Sequence, residues 1–111
     1  SFQLSKECAL AKRYIDSNYS QNITLDSLAE ITHINKFYLA HSFTECVGQS
    51  PINYLTDRRL EACKELLVSS NLSVAQVATS VGFSSQSYFS QIFRKKTGMT
   101  PRQYRSRYAR K

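Results

Sequence analysis

Between Gln86 and Arg107 the chain carries side chains suited to reading and holding a polyanion. Gln86 and Gln91 each put a donor and an acceptor on one amide, the pattern that adenine N6 and N7 require. Ser87 and Ser90 can take either role, and Arg94 can meet guanine or a phosphate. Lys95 and Lys96, then Arg102, Arg105 and Arg107, follow as a basic flank of the kind that grips phosphate. The charge is distributed to match. Residues 1–68 hold 7 basic and 8 acidic side chains, whereas residues 69–111 hold 8 basic and no acidic ones. A stretch of 43 residues without a carboxylate is a surface made to meet phosphate, although membrane surfaces and acidic proteins attract the same patch.

Other chemistries lack their residues. Two histidines, His33 and His41, and eight scattered acids assemble no catalytic triad, paired general acid and base or Gly-rich phosphate loop, so an enzyme is not expected. The cysteines, Cys8, Cys46 and Cys63, are odd in number and form no C-x-x-C pair. That argues against a disulfide scaffold and for a reducing cytosol, and the ligand spacing predicts neither a metal nor another cofactor. No apolar run approaches the roughly 18 residues of a membrane span, and no signal-peptide pattern opens the chain. It begins Ser1-Phe2 without a Met, as a piece of a longer protein would.

The elements that must position these side chains are given by an internal repeat. Phe43, Gly48, Pro51 and Tyr54 lie over Phe93, Gly98, Pro101 and Tyr104 at an offset of 50, with Leu39 over Phe89. Upstream the offset falls to 49: Leu28-Ala29 lies over Val77-Ala78, and Ile34-Asn35 over Phe83-Ser84. One extra residue therefore lies between Phe83 and Phe89 in the second copy. Each copy reads as helix, tight turn, helix. Thr24 N-caps a short helix to about Thr32, His33-Ile34-Asn35 turns, and Asn35 caps a second helix to about Val47. In the other copy Ser73 caps the first helix, Val81-Gly82-Phe83 turns and Ser84 caps the next.

A longer helix joins the copies, with Ser50 as N-cap and Pro51 in its first turn. Its apolar stripe of Ile52, Leu55, Leu60, Ala62, Cys63, Leu66 and Leu67 is wide enough to serve both units. Arg59, in mid-stripe, reads as a packed structural arginine. A first helix from about Leu4 to Tyr19 and a last one from Thr100-Pro101 to about Ala109 complete an all-α fold of seven helices. It comprises two helix-turn-helix units (homeodomain-like repeats) joined by a central linker helix. We read one DNA-binding domain over residues 1–111: a first unit at 4–49, the linker at 50–69, a second unit at 70–108 and a solvated basic tail at 109–111.

Helical periodicity then sorts the faces. In the first unit Leu39, Phe43 and Cys46 point to the core, leaving Phe37, Ala40, His41 and Thr44 outward, with Lys36 at the N-terminal end. In the second, Phe89 and Phe93 point inward and Ser87, Ser90, Gln91 and Arg94 outward. Such an outward face enters the major groove of a duplex, its N-terminal residues meeting base edges. Phosphate contacts are expected from Arg94, Lys95, Lys96, Arg102 and Arg105, from Thr44, and from the capped helix starts at Thr24 and Ser73. Tyr54 and Tyr104, repeated in register, read as core.

The run from Ser73 through Val81-Gly82-Phe83, Tyr88-Phe89 and Phe93 to Gly98, Pro101 and Tyr104-Arg105 resembles the signature of AraC/XylS-type transcriptional regulators. Residues 50–67 look like that family's linker helix, and the resemblance covers residues 4–108. It implies a seven-helix DNA-binding domain with one recognition helix in each of two successive major grooves. It also implies base-reading positions at Phe37, Ala40 and His41, and at Gln86, Ser87, Tyr88 and Gln91. A bacterial cytosolic regulator acting on RNA polymerase, with a separate N-terminal effector-binding or dimerisation domain, is implied as well. The first unit departs from the pattern: His33 stands where the second copy has Gly82, and position 40 is an alanine. We therefore expect unit one to supply positioning and methyl contacts and unit two the polar base readout. The partner expected is double-stranded DNA. The rival reading is a non-catalytic protein-interaction module with a basic face, which would show no sequence selectivity among duplexes.

Overall fold

A computed structural model describes residues 2–110. Among these, seven helices follow one another without a strand: α1 (Phe2–Asn18), α2 (Leu25–Thr32), α3 (Lys36–Val47), α4 (Pro51–Ser69), α5 (Val74–Ser80), α6 (Gln86–Thr97) and α7 (Pro101–Tyr108). The chain condenses into two units, one up to Arg58 and one from Arg59 onward, so the division falls inside α4 rather than at its ends. The linker helix is thus split between the two cores.

The helix starts are built by short polar side chains. Thr24 and Ser27 exchange side-chain and backbone hydrogen bonds at the start of α2, as do Ser73 and Gln76 at α5 and Thr100 and Gln103 at α7. Each such capping box satisfies two backbone N–H groups that a helix start would otherwise leave open. Asn35 Oδ1 accepts from Phe37 and Tyr38 at the start of α3, and Ser50 Oγ accepts from Asn53 in the first turn of α4. One cap differs from expectation: α6 is capped by Ser85, whose Oγ accepts from the Tyr88 N–H at 3.2 Å, and not by Ser84. The extra residue of the second copy precedes the cap, so Ser85 holds the place of Asn35 at the 50-residue offset.

In unit one, Ala11 and Ile15 of α1, Ile23, Leu28, Leu39, Phe43 and Leu55 form the core, with Tyr54 packed against it. The Tyr54 ring meets Phe43 edge-on at 5.8 Å, and its hydroxyl donates to Asp16 Oδ1 at 2.6 Å. Arg58 Nε donates to the same oxygen at 3.0 Å. Burial, followed by the hydrogen bond to Asp16, pushes the Tyr54 phenol up to about 12. Unit two repeats the arrangement, Phe93 meeting Tyr104 edge-on at 5.5 Å among Leu60, Cys63, Leu67, Val77, Ala78, Val81 and Phe89. Each fully buried Leu or Phe contributes roughly 1.5–3 kcal/mol, so the repeated aromatic pair anchors each unit separately. Arg59 is packed as expected, its guanidinium 5.7 Å from the Phe83 ring centre.

Three expectations change. Cys46 is exposed, and Ser42 takes its place in the core. Ser42 can be buried because its Oγ donates to the Tyr38 carbonyl at 2.7 Å, which leaves no open hydrogen-bonding group. Ile52, in the first turn of α4, is exposed rather than part of the apolar stripe. Arg110 is solvated as expected but tethered rather than free: its Nη1 lies 2.9 Å from Glu65 Oε1, and its backbone N–H donates to the Val68 carbonyl. Lys111, the other basic residue expected there, lies outside the described residues.

The two helix-turn-helix turns solve one problem differently. His33 ends α2 in the left-handed region at φ 60°, ψ 31°, while Gly82 takes φ 106° at the matching turn of unit two. Only His33 pays a side-chain steric penalty there, as its place in the repeat anticipates.

Candidate nucleic-acid interface

In unit one, the α3 face opposite Leu39 and Phe43 presents Phe37, His41 and Thr44 to solvent, with Ala40 half-buried beside them. Phe37 is 72% exposed and has the exposed Tyr38 beside it, so the start of α3 carries an apolar patch rather than a single ring. Lys36 does not extend freely: its Nζ lies 3.1 Å from Asp26 of α2 and 5.4 Å from the centre of the Phe37 ring. His41 Nε2 lies 3.0 Å from Glu45 Oε1, one turn further along the helix. Thr44 Oγ1 donates to the Ala40 carbonyl. Periodicity brought these side chains to one face correctly; their ion pairs were not anticipated.

Unit two presents Gln86, Ser87, Tyr88 and Gln91 to solvent, with Ser90 half-buried, on a helix that contains no acidic residue. Its last turn is the exposed basic run Arg94, Lys95 and Lys96. Cations there also favour the negative end of the helix dipole, so the run costs little in the free protein. The Tyr88 ring lies 6.2 Å from Phe83, the ring that Arg59 covers from its other neighbour α4. Burial lowers the Arg59 guanidinium, and the nearby Tyr88 hydroxyl opposes that.

The expected phosphate ligands fall into two groups. Arg94, Lys95, Lys96 and Arg102 are exposed. Arg105 is half-buried and points elsewhere: its Nε donates to the Leu67 carbonyl at 2.9 Å and its Nη2 to the Ser70 carbonyl at 3.4 Å. It closes the C-terminal end of α4, where carbonyls lack helical partners. Thr24 and Ser73 are committed to their capping boxes, which use the N–H groups of Thr24 and Ser27, and of Ser73 and Gln76.

Sequence reasoning passed over Tyr38, which is 55% exposed at the first turn of α3. The signal was present: at the 50-residue offset Tyr38 matches Tyr88, itself 52% exposed. Glu45 was likewise unread, although the repeat sets it opposite Lys95.

The profile of a helix-turn-helix domain family matches residues 28–107. Among curated proteins, the chain is 34% identical over 96 residues to the bifunctional transcriptional activator and DNA repair enzyme AdaA of Bacillus subtilis, covering 86% of this chain and 46% of that protein. Among solved structures, it is similar to the C-terminal domain of AraT, a response regulator from Geobacillus stearothermophilus. That match has a TM-score of 0.93 and 37% identity over 97% of this chain and 90% of that one. The DNA-binding domain of AdpA, solved in complex with a target DNA, matches with a TM-score of 0.79 and 27% identity, covering 95% of this chain and 91% of that one. The chain is also 40% identical over 93 residues to the HTH-type transcriptional regulator YobQ of Bacillus subtilis, covering 84% of this chain, and it spans less than half the length of either relative, 46% of AdaA and 39% of YobQ. With two exposed second helices in a twofold repeat, the second of them ending in a basic run, and a family match across both, the chain belongs to the AraC-type helix-turn-helix family, as the DNA-binding domain of a transcriptional regulator.

Proposed function

We propose that α3 and α6 read double-stranded DNA in two successive major grooves, about 10 base pairs apart on one side of the duplex. The observation that supports this best is the like exposure of the two second helices at one repeat register, α6 with amides, hydroxyls and a basic last turn. In unit two, Gln86 and Gln91 pair with adenine, and Ser87 and Ser90 adjust to either donor or acceptor. Tyr88, and Tyr38 in the matching place on α3, reach the backbone or a base edge with their hydroxyls. In unit one Phe37 and Ala40 meet thymine methyls, and Lys36 leaves Asp26 to approach the duplex. Arg94, Lys95, Lys96, Arg102 and Thr44 hold phosphate.

The four cations Arg94, Lys95, Lys96 and Arg102 on phosphate would make the logarithm of affinity fall with the logarithm of salt at a slope of about −3.6. RNA duplexes are poor partners, because their deep, narrow major groove does not admit a helix. The chain itself is a binding and not a catalytic part, and the repair activity in AdaA's name is a property of that protein. The chain covers less than half of those relatives' length, which supports a longer protein here too; in this reading that protein is a regulator with a further effector-binding or dimerisation domain, acting on RNA polymerase at promoters in the bacterial cytoplasm. No described helix is long and apolar enough to cross a membrane.

Competition at near-physiological salt tests this reading. Labelled duplex DNA should be displaced far better by a selected duplex than by a scrambled one, and hardly at all by RNA duplex or polyglutamate. Equal displacement by all four would favour a generic basic surface instead.

A further inference from the structure

Glu45 is the only acidic residue on either recognition helix, α3 or α6, and the repeat places Lys95 opposite it. An anion on the face that approaches a polyanion is repelled unless something there accepts it. Two local facts define what Glu45 offers. Its Oε1 lies 3.0 Å from His41 Nε2, with both side chains well exposed. The Glu45 side chain is 60% exposed one turn beyond His41, on the flank that the exposed Tyr38 also occupies, so its carboxylate has acceptor capacity left over. An i,i+4 pair of this kind is worth little as helix stabilisation in water, so its chemistry lies in what it presents.

We propose that Glu45 is a specificity-determining residue of unit one. In this reading its carboxylate, held by His41, accepts a hydrogen bond from the N4 amine of a cytosine in the major groove. A carboxylate offers acceptors only. Cytosine presents a donor in the major groove without an acceptor of its own beside it, whereas adenine sets N7 next to its N6 amine and guanine presents N7 and O6. Guanine and thymine are repelled at that position, and adenine is matched by half. His41 is then a positioning residue as well as a polar neighbour: its contact at 3.0 Å fixes the carboxylate rotamer. Lys95 of α6 has no such role, so the two units read by different chemistry. Unit one thereby gains a polar readout in addition to the methyl contacts of Phe37 and Ala40. The inference rests on the DNA-reading function proposed above.

The test is selection from a random duplex pool by the full chain, followed by sequencing, for the wild type and for E45A, E45Q, E45K and H41A. A parallel selection with Q91A identifies the box belonging to α6, because only that box should weaken. The wild type should enrich cytosine at one position of the α3 box by about fivefold, the lower end of what a good side chain–base contact discriminates. E45A and E45K should abolish that enrichment while leaving the α6 box unchanged. E45Q should shift the same position toward adenine, whose N6 and N7 match a carboxamide, and H41A should weaken the cytosine preference. E45K should also bind random duplex more tightly, with a salt slope steeper by about 0.9. A merely structural pair would leave every base frequency in place. Identical α3 boxes from the wild type and E45A overturn the proposal, as does an α6 box with no α3 box. Absence of any enriched box overturns sequence reading by the whole chain and this proposal with it.

Discussion

Replacing Arg105 by alanine separates the phosphate-binding role expected from sequence from the helix-closing role that the structure shows. As a phosphate ligand it would affect DNA binding and little else. The structure instead puts its Nε 2.9 Å from the Leu67 carbonyl and its Nη2 3.4 Å from the Ser70 carbonyl, at the end of α4. A hydrogen bond from a charged donor contributes roughly 1.5–3 kcal/mol, and a cation at a helix C-terminus adds about 0.3–1 kcal/mol. The group is half-buried and the second contact is long, so solvent screening brings the total to about 2 kcal/mol. For a domain of this size 1 kcal/mol moves the thermal midpoint by about 4–8 °C. R105A should therefore lower it by roughly 10 °C, and R105K should recover part of that through one donor. The log–log salt slope of DNA binding should not change for R105A, measured well below its midpoint. R94A should do the reverse: an unmoved midpoint and a slope shallower by about 0.9. An R105A protein with the wild-type midpoint and a shallower slope would refute the capping role and make Arg105 a phosphate ligand.

Four further outcomes rest on particular residues. Gln91→Ala should relax sequence preference over more positions than His41→Ala does, because α6 presents two amides and two hydroxyls whereas His41 is engaged with Glu45; the reverse ranking in a binding selection would reject that division. Alkylation of the native chain should label Cys46 first, since burial pushes the Cys8 and Cys63 thiols up to about 11 and about 12, with a hydrogen bond to Cys46 adding to the effect at Cys8. Rapid modification of all three, read by mass spectrometry, would contradict the packing. His33→Gly should be neutral or stabilising by up to about 1 kcal/mol, the relief of a left-handed residue set against the greater freedom of unfolded glycine. Gly82→Ala, at φ 106°, should be destabilising by more than that in urea denaturation.

The fold was legible because each local rule pointed the same way. Thr24, Asn35, Ser73 and Thr100 announce helix starts with short polar side chains, and the offset of Phe43 and Tyr54 onto Phe93 and Tyr104 announces two copies of one unit. Where the reading slipped, a one-residue choice or a side-chain partner decided. Ser84 and Ser85 are chemically equal caps, and only the register of the extra residue separates them. Cys46 and Ser42 differ by 40° around α3, and the apolar type suggested the wrong one because a serine that bonds its own helix can be buried. Of the candidate interface, the exposed faces of α3 and α6 could be read from periodicity. The pairing of Lys36 with Asp26, of His41 with Glu45 and of Arg105 with the end of α4 could not, because those contacts depend on rotamers and on chain brought together by folding.

The central claim is that this chain reads DNA sequence with two helices. Selection of bound duplexes from a random library at near-physiological salt tests it most directly. Two enriched boxes with centres about 10 base pairs apart are the predicted result. Tight binding without any enriched sequence would contradict it.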